Sequence, residues 1–455
     1  MDPLTFPEIA AMAGAKLLGK NEGVSVSRFN KDTRTIKPGD LYIGLRGENF
    51  DGNEFASHAF ERGAAVALLD SPAVAEKLST THPVLLADDS LKALTRLAAA
   101  WRSRLKIRVL GITGSSGKTS TKEFAAAVLG AKYRVVKTQG NLNNHIGVPL
   151  SILSAEYGDE AAVWEVGMNH PGEIAPLAAL IQPACAIITN IGTAHIEYMK
   201  TRDAIALEKG ALAEAVAVDG SLILPSEDDK TESIAKRCQA KVVRVGMTQG
   251  DLLATDLQST MEGTNFTVRR GSEFLPASIA VHGAHMVQNA LLALAAGVEM
   301  GVPLEKGIKG LAKARLVGGR LEQKTIGGVT YLDDSYNANP ESMEAALNTL
   351  RLVPSSGRRI AVLGKMGELG EHAAEGYRRT GAAAARLADI LLTVGPDSAA
   401  MSAAARDAGL GRVHEVEDTA AAARMLSQLA RPGDLVLVKG SRSARMETIF
   451  EHLQN

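Results

Sequence analysis

Short apolar runs alternate along this chain with longer stretches of helical periodicity, and glycine-rich turns separate them. Between Ile107 and about Leu316, apolar strands are predicted at 107–112, 161–166 and 185–191 with helical segments between them, the pattern of a parallel sheet covered on both faces. Near Gly318-Gly319-Arg320 the pattern restarts. Strands at 329–333, 358–364, 389–394 and 433–438 alternate with helices at 341–352, 374–387, 397–408 and 418–430, which reads as a second, doubly wound sheet. Ahead of both lies a stretch with short strand candidates at 40–45 and 64–69, broken by Lys37-Pro38-Gly39 and Gly47-Glu48-Asn49, and closed by a helix over 91–104. The fold class expected is therefore α/β with three domains: a small α/β module over 1–104, a central mostly parallel sheet domain over 105–316 and a Rossmann-like domain over 317–455. No tandem repeat or low-complexity segment interrupts them.

Length agrees with that division, since 455 residues at about 150 per domain suggest three cores. Lys+Arg 50 against Asp+Glu 51 leave a formal charge of -1, so nothing advertises a nucleic acid partner and any anionic ligand must be met locally. Cys185 and Cys238 are too few for a disulfide framework or a thiolate metal site, which suits a reducing cytoplasm. The start Met1-Asp2-Pro3 lacks a basic segment followed by an apolar core, and no apolar run reaches the ~20 residues of a membrane span. A soluble protein without membrane insertion is expected.

One segment carries chemistry on its face. Gly111-Ile112-Thr113-Gly114-Ser115-Ser116-Gly117-Lys118-Thr119 lies between the apolar run at 107–110 and an alanine-rich helical pattern, so it reads as strand, glycine turn and helix start. Glycines let several backbone N–H groups converge on one anion, the helix start adds partial positive charge, Lys118 adds a mobile cation, and Thr119 offers a hydroxyl to Mg²⁺. Five residues separate Gly111 from Gly117 and two separate Gly114 from Gly117, so this is a variant of the usual P-loop spacing. An ordinary strand-turn-helix with a surface lysine is the plainer alternative; the Lys-Thr pair at the helix start argues against it.

Other residues could complete a nucleotide and metal site, each with a duller reading beside it. Glu165 ends the strand at 161–166, where open α/β sheets present ligand-binding groups, though a strand-end carboxylate is often merely solvated. His195, closing Thr189-Asn190-Ile191-Gly192-Thr193-Ala194-His195, is either a loop histidine or a metal or phosphate contact. Lys209 lies on a helix with Glu208 and Glu214, and by itself reads as a solvated charge. His285 and Asn289, spaced i, i+4, share a face and either cap a helix or meet a base edge. Asp333-Asp334-Ser335-Tyr336-Asn337-Ala338-Asn339-Pro340 is good helix-start chemistry, but so dense a polar cluster at a sheet's binding edge favours a ligand. Arg320 and Lys439-Gly440-Ser441-Arg442 add cations suited to phosphate or carboxylate.

Taken together, Gly-Ser-Ser-Gly-Lys-Thr at 114–119, Asn-Leu-Asn-Asn-His-Ile-Gly-Val-Pro at 141–149, Glu-Val-Gly-Met-Asn-His-Pro-Gly-Glu-Ile at 165–174, Thr-Asn-Ile-Gly-Thr-Ala-His at 189–195 and Asp-Asp-Ser-Tyr-Asn-Ala-Asn-Pro at 333–340 closely resemble the Mur ligases. The resemblance spans all three expected domains in order. It implies a bacterial cytoplasmic enzyme of peptidoglycan precursor synthesis, hence of cell wall biogenesis, cell shape and division. The reaction implied is ATP-dependent addition of D-alanyl-D-alanine to UDP-N-acetylmuramoyl-tripeptide through an acyl phosphate, by an enzyme working as a monomer. The absence of an Asp-Asn-Pro-Arg sequence, the selector of the sibling that adds a diamino acid, favours the dipeptide-adding branch.

Residue by residue, the resemblance implies that the first domain holds the UDP part through Thr33, Arg34, Arg46 and Gly47. Gly114, Ser115, Ser116, Gly117, Lys118 and Thr119 would grip ATP, with Mg²⁺, two ions expected, held by Thr119, Glu165, His195 and Lys209. Lys209 matches a position carbamylated by CO₂, which turns a cation into a metal-binding anion. Lys118, Lys209, His195 and Arg320 would be catalytic. Asn289 would meet adenine, Arg320 the γ-phosphate and Asp334 the ribose side; Asn143, Asn144, Asn337 and Asn339 would touch substrate, the last two near the dipeptide. Two positions depart from the family pattern: Met286 stands where many relatives have asparagine, and Lys365 replaces a common aspartate. The alternatives are another Mur-type or folylpolyglutamate-type amide ligase, and a P-loop nucleotide switch that is not a ligase.

Overall fold

In the computed structural model residues 2–19 and 23–454 are described; Met1 and Asn455, the outer ends of the expected first and last domains, lie outside them. The chain forms two compact units. The first comprises Met1–Leu110, Tyr133–Val166 and Pro176–Gln182, the second Gly111–Lys132, Gly167–Ala175 and Pro183–Asn455. The strand Arg108–Thr113 begins in one and ends in the other.

Within the first unit, strands Lys16–Leu18, Val84–Leu86, Val66–Leu69, Leu41–Ile43 and Phe29–Asn30 form one sheet in that order, antiparallel in the first pair and parallel thereafter. Tyr42, Leu69 and Val84 pack with Phe60 on one side of it. The helix Ser90–Arg104 starts where the Asp89 side chain accepts a hydrogen bond from Lys92 N, a cap that satisfies an otherwise orphaned donor. It buries Leu94, Leu97 and Trp101 at helical spacing, and Trp101 Nε1 donates to the Ala155 carbonyl at 3.1 Å. The parallel pair Val135–Lys137 and Ala161–Glu165 belongs to the same unit.

The second unit carries the strand series Cys185–Ile188, Ser221–Pro225, Lys241–Gly246, Leu252–Ser259, Thr264–Arg270 and Glu273–Ile279. Its first four strands run parallel and its last two antiparallel. The antiparallel extension escapes the apolar-run pattern because it is half exposed: Phe274 is 60% accessible, and polar positions alternate along Thr264–Arg270. Behind the sheet, the helix Ala284–Glu299 buries nearly every residue from Asn289 to Gly297, as its unbroken apolar sequence predicts.

The same unit holds a six-stranded sheet in the order Glu322–Ile326, Val329–Asp334, Leu435–Lys439, Arg359–Leu363, Ile390–Val394, Val413–Val416. Only the first pair is antiparallel. The four inner strands coincide with the predicted ones to within two residues. The two outer strands were not expected, and each is only half buried, without a continuous apolar run. The helices Pro340–Leu352, Ala373–Leu387, Ala399–Asp407 and Thr419–Leu429 cover it. Among the described residues no helix is long and apolar enough to cross a membrane.

Candidate active site

The end of the strand Arg108–Thr113 opens this stretch of the second unit, running into a glycine turn and then the helix Lys118–Leu129. Gly114 has φ +149 and Gly117 φ +79. A Cβ on Gly114 would lie 1.8 Å from Thr189 Oγ1, and one on Gly117 would lie 2.7 Å from Asn289 Oδ1. Both positions thus demand glycine for conformation and for space. The turn is moored by the segment after Cys185–Ile188: Ser115 N donates to Asn190 O at 3.0 Å, Ser116 N to Asn190 Oδ1 at 2.8 Å, Thr189 Oγ1 to Ser116 O at 2.5 Å, and Gly192 N to Ser115 Oγ at 2.9 Å. Lys118 curls back so that Nζ donates to Gly114 O at 2.7 Å. The result is a rigid ring of backbone at a helix start with an ammonium over it, which suits a phosphate chain.

Asn289 reaches the loop from the helix Ala284–Glu299, its carboxamide set against Gly117 and its Nδ2 directed to Met286 Sδ at 3.8 Å. Met286, the departure noted above, therefore offers a sulfur acceptor to Asn289. His285 on the same face has its pKa pushed down to about 4, chiefly by burial.

Lys209 is fully buried on the helix Arg202–Glu214, and its Nζ has no hydrogen-bond partner. The sequence reading of a solvated helix charge is thus corrected, because neighbouring segments cover this face. Burial foremost, and then the charge of Lys118, pull its pKa well down, against the opposing field of Glu208. Glu208 itself accepts from Gly172 N at 2.8 Å and Ile174 N at 2.7 Å, so it is occupied with the start of the helix Ile174–Ile181. A buried amine without a partner fits carbamylation, since the neutral form is the nucleophile and the product carboxylate would give the site an acid where the chain has a base. His195, at φ +64, sets Nδ1 2.5 Å from Glu368 Oε2 in a short, bent contact. Among the described residues no three His, Cys, Asp or Glu side chains are grouped to hold a metal; Mg²⁺ commonly takes one or two carboxylates plus substrate phosphates, and the Thr119 hydroxyl at the helix start is a hard oxygen donor of the kind it accepts.

Residues from the six-stranded sheet come to the same loop. Asn339 caps the helix Pro340–Leu352 by accepting from Ser342 N at 2.8 Å, while its Nδ2 donates to Ser116 Oγ at 3.0 Å. Glu341 in the first turn of that helix accepts from Thr193 Oγ1 at 2.8 Å and Thr193 N at 3.3 Å. Asp334 pairs with the buried Lys439 at 2.6 Å, and Lys439 also donates to Asn337 O at 2.9 Å. Lys439 is thus committed to the sheet's own loop, which corrects its reading as a cation held out to a ligand. Asn337 Oδ1 accepts from Ala338 N at 2.9 Å. Arg320 stacks 4.1 Å over the Tyr336 ring and leaves Nε without a hydrogen-bond partner. Lys365 pairs with Asp397 at 2.9 Å on the wall of a cavity of about 670 Å³ in this sheet.

In the first unit Glu165 is 2% exposed; its N donates from the strand end to Thr138 Oγ1 at 3.0 Å, and its Oε1 accepts from Asn143 Nδ2 at 2.8 Å. Asn144 turns instead to the helix Gly147–Leu153, accepting from Gly147 N at 2.9 Å. Thr33 opens a 3-10 turn capped by Asp32, whose pKa falls to about 2 through the Arg34 guanidinium and backbone. Arg34 is largely exposed. Arg46 and Gly47 lie on a hairpin strand paired with Phe50–Asp51, where Arg46 Nε donates to Asp70 Oδ1 at 3.1 Å and the exposed Phe50 ring lies over Gly47. Sequence reading missed Thr189 and Asn190 as partners of the loop, and Glu341 and Glu368 as partners of Thr193 and His195. The first two stood inside a quoted motif; the carboxylates had no local signal, because their partners lie well over a hundred residues away.

Fold and loop together define a phosphate-loop α/β protein with a second, doubly wound sheet. Three family models match the chain: the Mur ligase family catalytic domain over residues 28–102, the Mur ligase middle domain over 112–297 and the Mur ligase glutamate ligase domain over 319–442. The chain belongs to the Mur ligase family. It is 38% identical over 455 residues to the UDP-N-acetylmuramoyl-tripeptide--D-alanyl-D-alanine ligase of Bacillus subtilis, covering 99% of this chain and 98% of that one. A crystal structure of MurF from Acinetobacter baumannii superimposes with TM-score 0.90 at 31% identity, over 100% of this chain and 99% of the other. MurF from Thermotoga maritima in complex with ADP gives 0.83 at 26% identity, over 94% and 97%.

Proposed function

We propose that this protein is an ATP-dependent ligase that joins D-alanyl-D-alanine to UDP-N-acetylmuramoyl-tripeptide in peptidoglycan precursor synthesis, acting as a monomer in the cytoplasm. The observation that carries the reading is a phosphate loop in the field of a buried, unpartnered lysine, within a chain matched end to end by a relative of that name. Domains at 1–104, 105–316 and 317–455 would handle the UDP part, ATP and the amine respectively; the three family matches fall inside those bounds.

The chemistry follows from charge. A peptide carboxylate is a poor electrophile, so its oxygen first attacks the γ-phosphorus of ATP; the O–P bond forms as the bond to ADP breaks, and an acyl phosphate results. The loop N–H groups, Lys118 and Arg320 offset charge on the transferring group. The dipeptide amine then attacks the activated carbonyl, loses a proton, and the tetrahedral species expels phosphate. Orientation is the protein's main contribution, with Asn337 and Asn339 on the dipeptide side, Asn289 and Asp334 on the nucleoside side, and Thr33, Arg34, Arg46, Gly47, Asn143 and Asn144 assigned to the UDP-peptide. Mg²⁺, held by Thr119, Glu165, His195 and carbamylated Lys209, would supply further neutralisation at phosphate oxygens.

Phosphate release should depend strictly on both the UDP-tripeptide and D-alanyl-D-alanine, with the joined product identified by mass spectrometry. Release with neither acceptor, or with another amine in place of the dipeptide, would overturn the assignment. Asn143→Ala, which removes the amide donor to Glu165 Oε1, should lower kcat/KM about tenfold without unfolding the protein, as read by steady-state phosphate release alongside circular dichroism.

A further inference from the structure

We infer that Glu341 is a positioning residue for the phosphate loop: through Thr193 it closes a ring of hydrogen bonds that makes the loop and the start of the helix Pro340–Leu352 one rigid piece. The inference rests on the ATP-dependent ligase reading of that loop. Each joint of the ring is visible. Glu341 Oε2 accepts from Thr193 Oγ1 at 2.8 Å and from Thr193 N at 3.3 Å, and Oε1 accepts from the same hydroxyl at 3.1 Å. Gly192, the residue before, donates its N–H to Ser115 Oγ at 2.9 Å. Ser116 follows in the chain, and its Oγ accepts from Asn339 Nδ2 at 3.0 Å. Asn339 and Glu341 flank Pro340, which completes the circuit.

The carboxylate lies directly against the turn, since a Cβ on Gly192 would stand 3.2 Å from Glu341 Oε2. Ser115 and Asn339 are buried, so water does not readily replace their partners. Arg379 comes only to 3.6 Å of Glu341 and is taken up by Glu344, to which it donates at 2.6 and 2.7 Å. An acid in the first turn of a helix is ordinarily explained by the helix dipole, and for that role any carboxylate serves. The ring asks instead for reach to Thr193. Opening one joint of a closed hydrogen-bond circuit loosens its other members; here the two loop serines would lose their outer support while Asn190 still held their N–H groups. Bound phosphate would stay in the loop, but its aim toward Arg320 and Asp334 on the second sheet would slacken.

Hydrogen exchange read by mass spectrometry on the full-length protein, without nucleotide, tests the ring itself. In Glu341→Ala the peptides carrying the Gly192 and Thr193 amides, and those carrying Ser115 and Ser116, should exchange about tenfold faster. Glu341→Asp keeps the charge but falls short of Thr193, and should behave like Glu341→Ala. Glu341→Gln keeps the reach and an acceptor oxygen, and should stay within about twofold of wild type. A role in the helix dipole predicts the reverse order for these two variants; that order overturns the inference, as does unchanged loop exchange in all three. Turnover supplies the second arm. Glu341→Ala should lower kcat about tenfold with the KM for ATP unchanged, Glu341→Gln should restore it, and the loss should not add to that of Thr193→Val, because both open the same joint. Additive losses, or wild-type kcat beside a fast-exchanging loop, overturn the positioning role. If wild type releases phosphate without needing the UDP-tripeptide and the dipeptide, the ligase reading falls, and the exchange order still decides the ring.

Discussion

Lys209→Ala should be nearly inert, with kcat down on the order of a thousandfold, equivalent to about 4 kcal/mol of lost transition-state stabilisation. A fully buried amine without a partner is costly unless it does something, and here burial and then Lys118 push its pKa well down, favouring the neutral form. That form adds to CO₂: the Nζ–C bond forms, an electron pair moves onto oxygen and the nitrogen releases a proton. Short carboxylates such as formate should partly restore Lys209→Ala, and ¹³C-bicarbonate should label wild type at one lysine by NMR. Normal turnover of the variant would remove Lys209 from the chemistry. The lowered pKa has a second consequence with a definite sign. Unmodified folded protein binds fewer protons at this site than the unfolded chain, so in CO₂-free buffer stability should rise with pH toward the ordinary lysine pKa and decline below it.

Gly114→Ala should weaken binding of a non-hydrolysable ATP analogue a hundredfold or more, since about 1–3 kcal/mol of backbone strain adds to a Cβ placed 1.8 Å from Thr189 Oγ1. The loop can relieve this only by leaving the geometry set by Thr189 and Asn190. Removing the obstruction in Gly114→Ala/Thr189→Ala should recover part of the affinity, the strain remaining. Titration calorimetry reads both; wild-type affinity in Gly114→Ala would dissolve the idea of a close-fitting cradle.

The loop and the inner strands of both sheets were legible because their signals are local. Glycines at fixed spacing with Lys118 at a helix start specify an anion site within nine residues, and strands such as Ile390–Val394, buried along their whole length, read as continuous apolar runs. Half-exposed strands such as Glu322–Ile326 lack that signal. Lys209 shows the opposite difficulty. Its burial comes from segments distant in sequence, so its helix pattern alone pointed to solvent, and only resemblance to relatives reversed the reading. Glu341 and Glu368 needed the folded chain, since what they do depends on Thr193 and His195.

The final strand, Leu435–Lys439, inserts between Val329–Asp334 and Arg359–Leu363, two strands made much earlier. Without that strand each neighbour is left with an unsatisfied ladder edge. A ribosome that stalls short of residue 435 therefore leaves a split sheet displaying two sticky margins, and also lacks Lys439 to neutralise Asp334. A copy lacking Leu435–Lys439 should therefore bare both margins and be cut readily by protease, which limited proteolysis of a chain truncated before Leu435 would read.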